Sequence, residues 1–452
     1  MTAQQLFVKT ALVCALASAA MATWAQAPVM DLKQVYQAAL EQDATIRASR
    51  ATADSGRERL PQARAGLLPQ ISASAGRNNN NLDTTAPNIL GTPVTTNEKY
   101  LSDNKTLQLR QPLVNMQRWF QFQQAKSVVE EVEANLDRDL QNLVVRVAGV
   151  YFEALMADEQ LDLVLAQKKT YTALVDAAKK SLAAGSGTRT DIDDAQSRLD
   201  MAAAQELEAR QNQDLARRQL QLLVNQPVNQ IAKLNVAALQ LSAPMPANLD
   251  DWTRKAEQAS PEIRAMQARL DAARREVSKA QAGHLPTVDA VAQWSNSGSE
   301  NITRVNSRFE NKTIGLQLNI PLYSGGYVNS TIRQAVAEQT RAEESLEALR
   351  RDLGVRVHKE YRGVSEGVLR VRALEQAARS AEQMMKSTQM SLTAGSRTQL
   401  DVLNAQQQFT LALRDLAQAR LVYLLSKVRL ASLVGDDAMV SVEQVNGSLR
   451  VR

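Results

Sequence analysis

Residues able to carry covalent chemistry are scarce in this sequence. One cysteine and two histidines occur among 452 residues, so a Cys/His metal cluster or a Cys–His nucleophilic pair has almost no material to be built from. His284 and His358 are far apart and lack ligand partners in sequence, which favours packing or surface roles. No cofactor and no catalytic group is expected. The polar residues with a shared setting are Asp191 and Asp401, each a few residues beyond a Gly-Ser pair, Gly185-Ser186 and Gly395-Ser396. The glycines permit a tight turn, and a carboxylate just beyond one is placed to cap a helix start.

The elements that carry these turns follow from composition. Lys+Arg number 53 against Asp+Glu 48, a net charge of +5 with the two signs interspersed. That is not the clustered basic footprint of a nucleic-acid binder. Aromatics make up 4%, and the abundance of Ala, Gln, Leu, Arg and Glu favours long helices packed through small residues.

Residues 1–25 read as an export leader: Lys9 gives the positive start, residues 10–22 the apolar run, and Thr23-Trp24-Ala25 a cleavage site after Ala25. The sole cysteine, Cys14, lies inside that run, so the mature chain is expected to be free of cysteine and of a lipid anchor. Beyond it, no apolar run approaches the ~18 residues of a spanning helix. An exported chain of this kind is either soluble outside the cytoplasm or enters a membrane as β-structure.

The chain is an internal duplication. SLAAGSGTRTDIDDAQ at 181–196 realigns with SLTAGSRTQLDVLNAQ at 391–406, ARAGLLPQI at 63–71 with AQAGHLPTV at 280–288, and LQLRQPL at 107–113 with LQLNIPL at 316–322. None of the 12 prolines falls between 113 and 226 or between 322 and 452, and proline-free windows are where long helices run. Residues 113–184 alone would reach about 100 Å as a helix. Gly149, Gly354, Gly363 and Gly367 are expected to interrupt the helices or mark close packing. A heptad seam through Leu161, Val164, Lys168, Tyr171, Val175, Ala178 and Leu182 is repeated from Val371 to Leu392 and resumes after each Gly-Ser turn, which predicts an antiparallel helical hairpin in each copy.

Between the paired prolines the period drops to two. Ile71, Ala73 and Ala75, Leu107 and Leu109, Val288 to Trp294, and Ile314 to Ile320 alternate with polar neighbours, the pattern of strands. Residues 78–97 and 295–308 read as polar loops. The expected organisation is thus a leader at 1–25; a first repeat at 26–235, with a β-hairpin at about 68–112 and a helical tip at about 183–190; a second at 236–435, with a β-hairpin at about 285–321 and a tip at about 393–400; and a C-terminal tail at 436–452. Four strands cannot close a barrel, and an open edge cannot lie in lipid. Three copies would give twelve strands, the smallest multiple of four expected to leave a water-filled lumen.

GHLPTVDA at 283–290, IPLYSGGYVNS at 320–330 and AGSRTQLDVLNAQ at 394–406 resemble the signatures of the TolC family of outer-membrane channel proteins. The resemblance implies a mainly α fold with membrane β: a homotrimer with a 12-stranded β-barrel continuous with a periplasmic α-helical barrel. It implies an outer-membrane export duct that works with a periplasmic adaptor (membrane fusion) protein and an inner-membrane transporter of ABC or RND type in efflux or type I secretion. By motif position it places a periplasmic gate at Thr190 and Asp191 on the first tip and at Arg397, Asp401 and Asn404 on the second, with an Arg–Asp contact between hairpins closing it. Gly185, Ser186, Gly395 and Ser396 take the tip turns and the surface that meets the adaptor. Two positions depart from the pattern: Leu392 stands where the family's gate often has Tyr, and Asn404 where a second Asp completes an acidic ring. Asp401 is expected to give cation selectivity, supplemented by Asp191, Asp193 and Asp194. Tyr323 and Gly325-Gly326 are expected to redirect the chain from strand to helix, and Trp294 to sit at a membrane interface. The competing reading is an exported periplasmic structural or adaptor coiled coil without a pore.

Overall fold

The computed structural model describes residues 29–299 and 307–450. The expected leader, with Cys14 and the cleavage position at Ala25, lies outside them. In chain order the elements are α1 (Leu32–Gln42), α2 (Ala44–Arg57), α3 (Arg59–Ala65), β1 (Gln70–Pro87), β2 (Pro93–Val114), α4 (Met116–Ala183), α5 (Arg189–Val224), β3 (Lys233–Leu234), α6 (Leu249–Ala259), α7 (Pro261–Gln281), β4 (Thr287–Ser299), β5 (Ser307–Asn319), α8 (Tyr327–Thr393), α9 (Gln399–Leu433), α10 (Ala438–Asn446) and β6 (Leu449–Arg450). They fall into two compact units. One holds Arg50–Asp137 and Pro261–Arg351; the other holds Arg138–Ser260, Asp352 onward, and the described residues up to Ser49.

The first unit carries a four-stranded sheet in the order β1-β2-β4-β5, antiparallel throughout. The duplication is visible in it, because the seam between repeats is the β2–β4 pairing. Ile71, Leu109, Ala292 and Ile314 lie opposite one another in one row and so share a face. The next row, Ser72, Gln108, Gln293 and Thr313, belongs to the other face. The first of these rows is apolar and the second polar, while toward the hairpin turns the Ile71 face also carries Lys105, Asn296, Glu310 and Lys312. Across the seam the Arg110 guanidinium reaches the buried Asp289 carboxylate through Nε at 3.1 Å. A single such pair fixes register, since a one-residue slip would move both side chains to the wrong face. The outer edges of β1 and β5 have no partner strand among the described residues.

Residues 78–97 do not form the expected loop. β1 runs on to Pro87 and β2 resumes at Pro93, leaving only residues 88–92 as the turn. The strands lack apolar alternation there but are joined by side chains instead: Asn97 Nδ2 donates to Asn81 and Asp83 Oδ1, at 2.9 and 2.5 Å, and the Thr85 and Thr95 hydroxyls bond at 2.8 Å. Likewise Ser295–Ser299 and Ser307–Arg308 belong to β4 and β5, and the rest of that expected loop lies outside the described residues. Gly325 and Gly326 have φ of +59° and +81°, a conformation suited to glycine, where the chain leaves β5 for α8.

The second unit is helical. α4 and α8, of 68 and 67 residues, contribute to both units and continue without a break through Gly149 and Gly354, beside which a Cβ would meet nothing within 4 Å. Gly363 and Gly367 instead mark close packing: a Cβ on them would come within 2.5 Å of Ser426 Oγ and 3.2 Å of the Tyr423 ring. α5 buries Ala195, Ala202, Ala209 and Ala216 at strict heptad spacing, and small residues there let helices approach. Ion pairs confirm the antiparallel course of each hairpin: Lys168 with Glu206 and Asp158 with Arg217 in the first, Glu375 with Arg420 and Glu360 with Arg429 in the second.

Two buried tyrosines pin the segment between repeats. Tyr151 donates to Ala232 O at 3.0 Å, and Tyr423 donates to Ser242 O at 3.0 Å while accepting from Ser242 N at 3.1 Å. The C-terminal segment from residue 436 is more than a tail. Asp437 caps α10, Val442 and Val445 are buried, Glu443 pairs with Lys33, and β6 pairs with β3.

Candidate functional site at the helical tips

Both hairpins turn through the same construction. Gly185 and Gly395 adopt φ of +74° and +77°, closing each helix by a left-handed step. Ser181 O then accepts from Ser186 N at 3.0 Å and Gly187 N at 3.1 Å, and Ser391 O accepts from Ser396 N at 2.9 Å. The Ser186 and Ser396 hydroxyls donate back to the same carbonyls at 3.3 and 3.1 Å. Both serine side chains are thus engaged within the turn.

The cap that follows differs from the one expected. Thr188 and Thr398 are the N-cap residues, and Asp191 and Asp401 are their third-position partners in a reciprocal capping box. Asp191 Oδ2 accepts from Thr188 N at 2.9 Å and Thr188 Oγ1 at 2.7 Å; Asp401 Oδ2 accepts from Thr398 N and Oγ1, both at 2.9 Å. The spacing Thr-x-x-Asp carries this signal in both copies. The Thr398 backbone amide, then its hydroxyl, then the charge of Arg397 hold the Asp401 carboxyl below its ordinary range against some desolvation. The hydrogen bonds that order the helix thus also keep the carboxylate ionised. Thr190 is exposed in the first turn of α5, and Asp193 is exposed one turn on.

Arg397 Nη1 lies 3.8 Å from Asp401 Oδ1, within its own hairpin. The hydrogen bonds that join the two hairpins near the tips come from a residue not singled out in the sequence. Arg198, on α5, donates through Nη2 to Asn404 Oδ1 at 2.7 Å and through Nη1 to Gln407 Oε1 at 2.8 Å, both on α9. Beside them all four helices meet in one apolar cluster of Tyr171, Leu174, Ala202, Val402 and Leu403, against which Leu199 and Leu392 pack. Leu392, at the position that departs from the family pattern, thus contributes apolar contact. Lys168 and Arg210 converge on Glu206, holding its carboxyl below its usual range.

Elsewhere His284 Nε2 lies 3.1 Å from Asn329 Oδ1, and His358 is exposed. Among the described residues no group of His, Cys, Asp and Glu is placed to hold a metal ion. Trp294 Nε1 donates to Glu310 at 3.1 Å on the Ile71 face of the sheet, beside Lys312.

The family model described as outer membrane efflux protein matches residues 35–226 and 252–436. The chain is 33% identical to the alkaline protease secretion protein AprF of Pseudomonas aeruginosa, over 92% of this chain and 88% of that one. It is 31% identical to the proteases secretion protein PrtF of Dickeya chrysanthemi, over 90% and 89%, and 29% identical to the outer membrane protein TolC of Escherichia coli, over 90% and 82%. The fold matches that of CusC, with a TM-score of 0.77 at 17% identity over 90% of this chain and 92% of that one. It also matches the outer membrane protein VceC of Vibrio cholerae, at 0.75 and 18% over 90% and 96%. Duplicated hairpins, a shared sheet and a family match over residues 35–226 and 252–436 converge: the chain belongs to the outer membrane efflux protein family, the TolC family of outer-membrane channels.

Proposed function

We propose that this chain is the outer-membrane duct of a type I secretion or tripartite efflux system, assembled as a homotrimer and passively conducting its cargo outward. The single observation that carries the trimer is the sheet, whose apolar rows are bounded by two unpaired edges, β1 and β5. Unpaired backbone groups are not tolerated in lipid, so the β5 edge of one copy pairs with the β1 edge of the next, and three copies close a twelve-stranded barrel. The names of the two relatives above 30% identity, both protease secretion proteins, favour a protein cargo.

In this reading the helical tips form the periplasmic gate. Arg198, bound to Asn404 and Gln407, latches one hairpin to the other within each copy, and the apolar cluster beside it supplies the packing. Asp401, repeated by threefold symmetry, gives the constriction its cation preference. Gly185, Ser186, Gly395 and Ser396 present the turns to a periplasmic adaptor. Because both serine hydroxyls are engaged in the turns, recognition there rests on shape. Docking of adaptor and inner-membrane transporter opens the gate by making contacts available only in the open state. No covalent step is involved.

The test is secretion. Cells lacking this chain but keeping its transporter and adaptor should retain the cargo protein, and the restored chain should release it. Normal release in its absence would overturn the reading.

A further inference from the structure

Charge in the four-stranded part of the sheet is sorted by face. Of the charged side chains there, Arg110 and Asp289 lie on the Ser72 face at the helix-proximal end and pair with each other. The others, Arg77, Asp103, Lys105, Arg308, Glu310 and Lys312, all lie on the Ile71 face, in three adjacent rows at the end of the sheet away from the helices. At the same level the Ser72 face is uncharged, with Ser74, Thr106, Ser295 and Asn311 in one row and Gly76, Asn104, Ser297 and Phe309 in the next. Toward the helices the Ile71 face turns apolar, from Leu107 and Trp294 through Leu109 and Ile314 to Val288 and Leu318, a stretch of ~20 Å along the strands in which Gln111 is a polar interruption. The charged rows are built rather than loose. Lys312 Nζ and Trp294 Nε1 both reach Glu310 Oε1 at 3.1 Å. Gly298 leaves the room that Asp103 fills, since an added Cβ would lie 2.7 Å from its Oδ1. Arg77 and Lys105 are diagonal neighbours across β1 and β2, and a hollow of about 730 Å³ borders Arg77, Asp103, Lys105 and Arg308.

We infer that these rows form a lipid-headgroup site: Arg77, Lys105, Arg308 and Lys312 hold phosphate groups of the outer-membrane leaflet that faces the cell exterior, and so fix the depth at which the sheet sits. The inference rests on the barrel reading above, in which the Ile71 face meets lipid and the Ser72 face lines the lumen. Water does not select for the arrangement, since in that reading the Ser72 face meets water at the same level and is built of Ser, Thr and Asn. Hydrocarbon does not select for it either, because charge on the lipid face of a strand is tolerated near the interface and costly at the midplane. A partner that is anionic and lies only on the outward side accounts for both. The four cations outnumber the carboxylates of Asp103 and Glu310, so the rows are positive on balance. Phosphate suits this set, because Lys meets it as a point charge and Arg through paired N–H groups. Glu310 keeps the flexible Lys312 within the rows.

The experiment uses the full chain, purified in an uncharged detergent, stripped of bound lipid and titrated with a diphosphorylated lipid A, its dephosphorylated form or phosphatidylcholine, with bound lipid counted by native mass spectrometry. The diphosphorylated glycolipid should bind most tightly. Lys105→Gln with Lys312→Gln should weaken that binding about tenfold or more, the scale of a lost charge-assisted contact, and Lys105→Arg with Lys312→Arg should keep it. Lys169→Gln with Lys359→Gln, which removes the same charge from exposed sites on α4 and α8, should leave it unchanged. Equal binding of the phosphorylated and dephosphorylated glycolipids, equal weakening by the two Gln pairs, or inorganic phosphate binding as tightly as the lipid would overturn the inference and leave the duct intact. The comparison of glycolipids uses the unsubstituted chain, so it decides the matter even where the Lys105 and Lys312 pair of changes prevents assembly. An unsubstituted chain that stays monomeric in detergent would overturn the barrel reading and this inference with it.

Discussion

Arg198 and Asn404 stand on different helical hairpins and are joined by a 2.7 Å hydrogen bond, with Gln407 taking the second arm of the same guanidinium at 2.8 Å. The two repeats arrive at this contact through matched turns, yet the contact itself is not repeated, because the residue equivalent to Arg198 in the second copy is Gln408, which has no guanidinium to offer. The duplication supplies two similar hairpins, and a few unmatched side chains make them bind each other.

Because both acceptors are amides, the latch does not titrate. Arg198→Ala should raise the resting conductance of the duct in a planar bilayer, and that of the unsubstituted chain should not open through loss of this latch between neutral and mildly acidic pH. Asn404→Asp turns a bond charged only at its Arg198 donor into an ion pair, which is stronger. It should lower the resting conductance at neutral pH and restore it as the new carboxylate is protonated below its ordinary range. A pH-insensitive Asn404→Asp variant would contradict the latch.

Asp401 should set ion preference. Its carboxyl lies below the ordinary value of 3.8, so it is ionised throughout the neutral and mildly acidic range. The folded value is the lower one, so its contribution to the cap is fully present above 3.8 and is lost as pH falls through the lowered value. Cation preference should follow the same course. Reversal potentials for Asp401→Ala should shift toward anions, and an unchanged potential would remove the assignment.

Close approach of α8 and α9 depends on Gly363. An added Cβ would lie 2.5 Å from Ser426 Oγ and 3.0 Å from Ser426 Cβ, so Gly363→Ala should destabilise by ~1–3 kcal/mol as an overpacked contact. Gly354→Ala, with nothing within 4 Å of the new atom, should stabilise by about 0.5–1 kcal/mol. Thermal or denaturant unfolding in detergent distinguishes the two.

The two tyrosines that pin the inter-repeat segment should differ. Tyr151→Phe removes a donor to Ala232 O and should cost ~1 kcal/mol, as for an ordinary hydrogen bond. Tyr423→Phe also strips the acceptor from Ser242 N and should cost about 1–3 kcal/mol, because a partly buried N–H is left unpaired. Equal costs would contradict the assignment.

The duplicated helical fold was legible in the sequence because proline positions and a repeated Gly-Ser turn mark where helices can and cannot run. The ribbon from Asn79 to Leu101 was not, since Asn and Thr runs lack the apolar alternation that reveals strands and are held instead by lateral side-chain bonds that only the paired structure displays. Thr188 and Thr398 are legible as Thr-x-x-Asp boxes in both copies. Arg198 left no local signal: its partners lie on the other repeat, and a cation on a polar helix face looks like any solvated one. The segment after Asp436 concealed its helix for want of length, its packing depending on Lys33 and β3 far away in sequence.

The central claim is that the unpaired β1 and β5 edges are sealed by copies of the same chain around a conducting lumen. Mass measurement of the detergent-purified mature chain, followed by single-channel recording of the same sample, tests it most directly. The account predicts a trimer that falls to monomer on heating and forms cation-preferring channels before heating. A stable monomer that stays soluble without detergent and shows no channel activity would contradict it.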